Sequence, residues 1–283
     1  MLRMRSARAF TLVETLVVVA VIAILIGILL PGLRMARAAS QAATSQANLR
    51  QWGVAMGAWT LGNDESLPWE GSKVAADMGS NLAAREFWPN ALASMLGIET
   101  YASMCERAFR AQADIDVWEN RSNVWSDPAA QPDMEAPYSF GETGTGGIPR
   151  QFFFCYAMNI RLNRTLREQA GVPAGSRDTL MKTGQVGMPD RTVLMLELRA
   201  SPGEVPSGDP HRAASLDRAT CSWKRFAARH SGGGHMTFLD GHVAWYSNEE
   251  ATTNVQGSRD RATANGDWNN GKLVWDPLGP ALN

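Results

Sequence analysis

The chain opens with a long apolar segment that follows three arginines. Residues 10–33 (FTLVETLVVVAVIAILIGILLPGL) contain one charged residue, Glu14. As a helix this segment is about 36 Å long, enough to cross the hydrocarbon core of a bilayer. Arg3, Arg5 and Arg8 precede it, and no acidic residue lies among them. This charge bias predicts a cytoplasmic N-terminus, one membrane crossing and an extracytoplasmic remainder.

Two residues are unusual in such a segment. A charged side chain costs about 2.5 to 3.5 kcal/mol at the centre of a membrane and less near its edge, so Glu14 requires a specific use. Pro31 removes one backbone donor and leaves the carbonyl of Gly27 without its helical partner. We therefore expect a kink or a locally melted turn at Pro31.

Residues 9–14 (AFTLVE) resemble the processing site of type IV prepilins and pseudopilins. In that family, a membrane aspartyl peptidase removes a short basic leader before a Phe, and the new N-terminus is methylated. The resemblance implies cleavage between Ala9 and Phe10, which makes Glu14 the fifth residue of the mature chain. Family members usually have Gly where this chain has Ala9. Pilin-like helices also carry a proline at the distance of Pro31 from the cut.

The resemblance implies a specific use for Glu14. Cleavage creates an α-amine on Phe10 that is mostly protonated at neutral pH. In an apolar helical bundle, Glu14 of one subunit pairs with this amine on a neighbouring subunit and fixes the axial register. The expected partners are a prepilin peptidase, other pilin-like subunits and, before assembly, membrane lipid. Transfer of the helix from lipid to the bundle should cost little, because both surroundings are apolar.

Two other interpretations fit the hydrophobicity alone. A simple signal anchor has the same flanking arginines but no need of Glu14. A secretory signal peptide is compatible with residues 36–38 (ARA), and its mature chain would start at Ala39. Against it, Arg34 and Arg37 lie where signal peptides rarely carry charge, and the apolar run is long. The contiguous F-T-L-x-E pattern favours the pilin-type interpretation.

Composition bounds the remainder of the chain. The sequence predicts a leader (1–9), a transmembrane or filament-core helix (10–33), its continuation (34–61) and an extracytoplasmic domain (62–283). The 27 basic and 28 acidic residues nearly balance, so charge indicates no nucleic-acid partner. Ten tryptophans are more typical of a core than of a binding surface. The three cysteines, Cys105, Cys155 and Cys221, allow either one disulfide with a spare thiol or three free thiols.

Periodicity predicts an α+β fold in which a C-terminal antiparallel sheet packs on the second half of one long N-terminal helix. Residues 86–109 are predicted to be helical. Residues 151–158 and 191–198 are predicted as buried strands, and residues 201–211 as a long exposed loop. A narrow face of mostly small residues repeats along the long helix: Leu33, Ala36, Ser40, Ala43, Ala47, Val54 and Ala58.

The second half contains a clear hairpin signal. Residues 235–239 and 242–246 alternate on either side of Asp240 and Gly241, which predicts a two-residue type I′ turn. In that register Leu239 pairs with His242. Phe238 then faces Val243, and Met236 faces Trp245, as one apolar side of the hairpin. The opposite side carries His235, Thr237, Leu239, His242, Ala244 and Tyr246.

His230, nine residues and then Asp240-Gly241 resemble the H-x9-DG motif of a large group of prepilin-type proteins. Residues 156–159 (YAMN) and 193–197 (VLMLE) are similar to core strands of that group. The group often has a Cys-Pro pair where this chain reads Trp-Ser-Asp-Pro at 125–128. The resemblance implies a structural role for His230, Asp240 and Gly241.

Two parts of the sequence are rich in residues that can bind metal ions. His230, His235, Asp240 and His242 are close in sequence, but the predicted register puts His235 and His242 at opposite ends of the hairpin, and Asp240 serves the turn. We expect His230 to bond the hairpin backbone or the glycine loop, so no metal site is predicted. Some pseudopilins that the chain resembles bind calcium in a C-terminal loop, but this composition is equally typical of exposed turns. The residues concerned are Asp260, Asn265, Asp267, Asn269 and Asn270.

The sequence predicts a structural protein. No nucleophile–base pair, H-E-x-x-H motif or phosphate-binding glycine loop is present, so neither an enzyme nor a cofactor is predicted. The predicted function is a pilin-like or pseudopilin subunit of a type IV pilus or a type II secretion filament. It would reside in the inner (cytoplasmic) membrane and, after assembly, in a periplasmic or cell-surface filament. The alternative is a membrane-anchored or secreted extracytoplasmic binding module that uses the tryptophan-rich middle.

Overall fold

The computed structural model describes residues 12–71, 84–111, 123–131, 154–172, 179–214, 220–259 and 269–279. The chain divides into two compact units, Met1–Gln41 and Ala42–Asn283. Helix α1 (Leu12–Gly62) begins in the first unit and ends in the second, and every other element belongs to the second unit.

In the first unit, α1 is an apolar and exposed helix. The side chains from Leu16 to Leu33 are all apolar and exposed. The helix continues without interruption through Pro31, so the locally melted turn is not present. In the described part of the chain, α1 is the one helix long and apolar enough to cross a membrane, as judged by length and composition. Such a surface needs lipid or other apolar helices around it.

In the second unit, α1 buries one face against the sheet. This face is not the predicted small-residue face, since Val54 is 71% exposed and Ala47 and Ala58 are exposed too. Trp52 and Trp59 bury far more apolar area than alanine, so the face that carries them turns inward. Its buried residues are Ser45, Asn48, Leu49, Trp52, Ala55, Met56, Trp59 and Thr60.

The sheet has the strand order β3-β1-β2-β4-β5. Four strands, β1, β2, β4 and β5, pair antiparallel, and the short β3 lies parallel to β1. Every residue of β1 and β2 is buried, as predicted for these segments. A long N-terminal apolar helix packed on a four-stranded antiparallel sheet is an α+β, pilin-like architecture. The strands are β1 (Tyr156–Asn159), β2 (Val193–Glu197), β3 (Thr220–Cys221), β4 (Gly233–Phe238) and β5 (Val243–Ser247).

The β4–β5 register differs by one residue from the predicted one. Thr237 pairs with Val243, and His235 pairs with Trp245. The loop has three residues, 239–241: the Gly241 N–H donates to the Phe238 carbonyl at 2.9 Å, and only Gly241 of the three has a positive φ, 89°. This is a type I turn followed by a glycine bulge rather than a two-residue type I′ turn. In this register Val243 and Trp245 share a face with His235 and Thr237, and Thr237 bonds the Leu49 carbonyl of α1 at 3.2 Å.

A two-residue turn with positive φ at both positions occurs instead before β4. Ser231 has a φ of 55° and Gly232 a φ of 79°. The backbone N–H and carbonyl of His230 pair with those of Gly233 at 2.9 and 3.1 Å. Positive φ at both central residues is the mark of a type I′ turn. It reverses the chain immediately after His230.

The predicted helix over residues 86–109 is two helices, α2 (Trp88–Leu96) and α3 (Tyr101–Ala111). Gly97 ends α2 in the left-handed conformation, with a φ of 66°. Glycine adopts this conformation at little cost, so the chain turns there despite the helical pattern on both sides.

Aromatic packing joins α1 to α2. The Trp52 ring lies 5.8 Å from the Trp88 ring and 4.8 Å from the Trp125 ring, both edge to face. Trp88 also packs 5.7 Å from Phe154. The tryptophans of this region therefore form core, which accords with the expectation from their number.

The connections after β2 are partly buried. Residues 201–211 were predicted to be an exposed loop, but Val205 and His211 are buried, and Pro202–Glu204 forms a short 3-10 helix. Cys105, Cys155 and Cys221 are all free thiols, and burial raises the pKa of Cys155 to about 12. The described residues also contain the helices α4 (Arg164–Ala170) and α5 (Asn248–Thr252).

Candidate functional site

The first candidate site is the start of α1. Glu14 lies in the first turn of the helix and is exposed. The positive end of the helix dipole favours a negative charge at this position. Ala9 and Phe10, between which cleavage is predicted, lie outside the described residues. Pro31 lies inside the helix, about five turns further along.

The second candidate site is a buried group of ionisable side chains in the second unit, between α1 and the sheet. We call Asp127, Glu197, Arg229, His230 and His235 the carboxylate–histidine cluster. Their side chains are between 0% and 8% exposed. Charged groups at this depth need partners, because removing them from water is costly.

Glu197 is the centre of the cluster. Its Oε1 accepts a hydrogen bond from Ser45 Oγ at 2.6 Å and lies 2.8 Å from Nδ1 of His235. Nε2 of His230 is 3.5 Å from the same oxygen. Oε2 of Glu197 is buried and has no hydrogen-bond partner in the part of the chain that the structure describes. Tyr156, which pairs with Glu197 across the strands, contacts Ser45 through its hydroxyl at 3.1 Å.

Asp127 connects the cluster to a buried arginine. Its Oδ2 lies 3.0 Å from Nε2 of His230 and 3.3 Å from Nη1 of Arg229. Nη2 of Arg229 lies 3.1 Å from Oε2 of Glu204. The arginine is thus placed between two carboxylates, and the negative charge of Asp127 has a permanent counter-ion.

These contacts set the charges in the cluster. Burial raises the pKa of Asp127, but Arg229 and His230 outweigh that effect and hold it below its usual range. Burial lowers the pKa of His230, but the bond to Asp127 and the charge of Glu197 raise it above its usual value. Burial raises the pKa of Glu204 despite Arg229. The arrangement favours positive charge between Asp127 and Glu197.

The structure separates the parts of the H-x9-DG motif. His230 is predicted to bond the hairpin backbone or the glycine loop; its backbone does pair with Gly233, whereas its ring contacts Asp127. Asp240 and Gly241 form the turn at the other end of β4, where Asp240 Oδ1 accepts from the backbone N–H and lies 2.6 Å from Nδ1 of the exposed His242. His230 and His235, rather than His235 and His242, share one site.

The predicted calcium residues are only partly described. Asp260, Asn265 and Asp267 lie outside the described residues. Oδ1 of Asn269 accepts bonds from two backbone N–H groups, at 2.9 and 3.1 Å, and Oδ1 of Asn270 does the same at 2.9 and 3.1 Å. Both amides therefore stabilise the turn that contains them.

The comparison with known families concerns the first site. Residues 4–30 match the family of the prokaryotic N-terminal methylation motif. No curated protein and no solved structure matches the chain. The match spans Ala9, Phe10 and Glu14, and it covers a small part of the chain.

The match assigns a processing signal to the N-terminal segment. The chain carries a prepilin-type cleavage and methylation segment, which implies processing by a prepilin peptidase. With the apolar part of α1, it indicates single-pass membrane anchoring and an extracytoplasmic domain. The likeness of residues 230–241 to the H-x9-DG group stays a prediction.

Sequence reasoning found His230 and His235 but missed their carboxylate partners. Asp127 precedes His230 by 103 residues, and Glu197 precedes His235 by 38. No local period connects positions so far apart. One signal was available: Glu197 is a charged residue at the end of a strand predicted to be buried, and a buried carboxylate requires a partner.

Proposed function

We propose that this protein is a pilin-like subunit of an extracytoplasmic filament. A prepilin peptidase cleaves between Ala9 and Phe10, and the amine of Phe10 is methylated. The apolar half of α1 then leaves the membrane and enters the filament core. The filament is a type IV pilus or a type II secretion pseudopilus, with the sheet domain outside the cytoplasm.

The match of residues 4–30 to the methylation motif is the observation that carries this proposal. The position of Glu14 in the first turn of an exposed apolar helix supports it. In a bundle of such helices, the carboxylate of Glu14 and the α-amine of a neighbouring Phe10 neutralise each other in a region without water. The pair fixes the axial register of each subunit relative to its neighbour.

N-terminal sequencing of the mature protein from cells tests the proposal. The expected sequence begins with methylated Phe10. A chain that begins at Ala39 means a secretory signal, and an intact Met1 means a simple anchor. Either result overturns the proposal and favours an extracytoplasmic binding module. Deletion of the prepilin peptidase should leave the leader in place, whereas deletion of a signal peptidase should not.

A further inference from the structure

Three ligand atoms of the carboxylate–histidine cluster converge on one point. Oε1 of Glu197, Nε2 of His230 and Nδ1 of His235 all lie within 4.8 Å of one another. Oε1 is 2.8 Å from Nδ1 and 3.5 Å from Nε2. Tetrahedral Zn²⁺ with bonds of about 2.0 to 2.1 Å holds its ligand atoms about 3.3 Å apart. The observed spacings lie on either side of that value.

The second carboxylate oxygen of Glu197 is also open to a ligand. Asp127 has Arg229 as its partner, but the ionic partners that the described residues offer Glu197 are the two imidazoles, which are charged only if protonated. Among the described residues Oε2 of Glu197 has no hydrogen-bond partner, although Glu197 is fully buried. A divalent ion bound by both carboxylate oxygens would neutralise the charge and give the second oxygen a ligand contact.

We propose that Glu197, His230 and His235 form a binding site for a divalent transition-metal ion of the Zn²⁺ class. Two imidazole nitrogens and one carboxylate form a donor set that such ions prefer, whereas Ca²⁺ and Mg²⁺ prefer oxygen ligands. Asp127, whose Oδ2 lies 3.0 Å from Nε2 of His230, is placed to enter as a fourth ligand.

The position of the site implies a structural ion. The three side chains are 0%, 3% and 8% exposed, and a closed site is typical of structural rather than catalytic zinc. His230 lies just before the tight turn that leads into β4, His235 lies within β4, and Glu197 ends β2. Ser45 of α1 holds Glu197 from the other side. The ion would link the turn and the two strands directly, and α1 through the hydrogen bond from Ser45 to Glu197.

Metal titration of the full-length protein tests this inference. The protein is purified in detergent without a polyhistidine tag, stripped with a chelator and dialysed against Zn²⁺ or Co²⁺. We expect one ion per chain, and visible Co²⁺ absorption bands of tetrahedral intensity. Glu197→Gln and His235→Asn should each lower the affinity at least about tenfold. Wild-type protein should gain thermal stability with Zn²⁺, and the two variants should not.

The matched control is His242→Asn, which removes an exposed histidine from the far end of the same hairpin. It should bind as much metal as the wild type. Near-UV circular dichroism checks that each variant folds. The Co²⁺ spectrum of the wild type decides the question even if a variant does not fold. Absence of bound metal in the wild type, or equal binding by Glu197→Gln and His235→Asn, overturns the proposal.

Discussion

Ser45 of α1 donates a 2.6 Å hydrogen bond to Oε1 of Glu197 on β2, across a fully buried contact between helix and sheet. The same hydroxyl lies 3.1 Å from the hydroxyl of Tyr156. The helix therefore meets the sheet through a polar contact as well as through its tryptophans. The second half of α1 thus supplies, through Ser45, a hydroxyl donor to the buried carboxylate of Glu197.

Ser45→Ala should lower the free energy of unfolding by about 1 to 3 kcal/mol, because it removes a donor from a buried charged group. Urea unfolding of the full-length protein in detergent, followed by tryptophan fluorescence, measures the change. Gln51→Ala, at an exposed position of the same helix, is the control and should change little. Equal stabilities of the two variants would contradict the role assigned to Ser45.

Breaking the buried ion pair between Glu70 and Arg167 should be more damaging. Nη1 of Arg167 lies 2.5 Å from Oε1 of Glu70, and Asn163 donates to Oε2 at 2.6 Å. Glu70→Leu should cost about 3 to 5 kcal/mol, because it leaves the arginine buried without its carboxylate. Adding Arg167→Met should recover part of this loss in the same unfolding assay. If the double variant is less stable than either single variant, the pair is not the cause.

Gly234→Ala tests how closely the chain packs at the start of β4. An added Cβ would lie 2.5 Å from the carbonyl oxygen of Ala227 and 2.6 Å from Oε2 of Glu197. We expect a loss of about 1 to 3 kcal/mol from this overpacking. Gly187→Ala is the control, since nothing lies within 4 Å of its Cβ position. Thermal unfolding midpoints compare the two, and similar midpoints would show that the backbone gives way at Gly234.

The pH dependence of stability should report on His211. Burial lowers the pKa of His211 to about 4, whereas the unfolded chain has a value of about 6.5. Between these values the unfolded state binds more protons, so the free energy of unfolding falls as the pH falls. From about pH 7 to pH 5 we expect a loss of about 1 to 2 kcal/mol from this residue. His211→Gln should flatten this part of the profile, and parallel profiles would contradict the prediction.

Glu14→Ala should stop filament assembly without stopping leader removal. The variant loses the charge that pairs with the amine of the neighbouring subunit, while the sequence around the cut is otherwise unchanged. Sheared filaments and membrane fractions, both probed with antibody, measure assembly and processing separately. Thr15→Ala, which removes a hydroxyl that donates to the Leu12 carbonyl, is the control and should assemble. Normal filament yield from correctly processed Glu14→Ala would refute the proposed pairing.

Local sequence patterns predicted where helices and strands lie better than they predicted which residues contact one another. Continuous apolar runs located the first half of α1 and the strands β1 and β2, because α1 is apolar all round there and both strands are buried on both faces. Such patterns failed where one residue decides the geometry. Gly97 divides α2 from α3 through a left-handed cap, and Gly241 takes up the extra loop residue that shifts the hairpin register. The Asp240-Gly241 pair fits either a two- or a three-residue loop, so composition did not decide between them.

The cluster was beyond local reasoning for a different reason. Its residues come from the segment around Asp127, from β2, from the turn before β4 and from β4, and only the tertiary fold brings them together. The sequence did indicate that a charged residue ends β2. It gave no measure of which histidine would meet that residue, because the answer depends on how β2 pairs with β4.

The number of residues between His230 and Asp240 determines which side chains of β4 face α1. Residues 231–239 comprise the Ser231-Gly232 turn, the six residues of β4 and the first residue of the next turn. Neighbouring strand residues point to opposite faces, so one inserted or deleted residue within β4 would exchange the two faces of the strand beyond it. Met236 would then turn toward α1, and His235 would leave Glu197. The buried site therefore requires the nine-residue spacing as well as the side chains themselves.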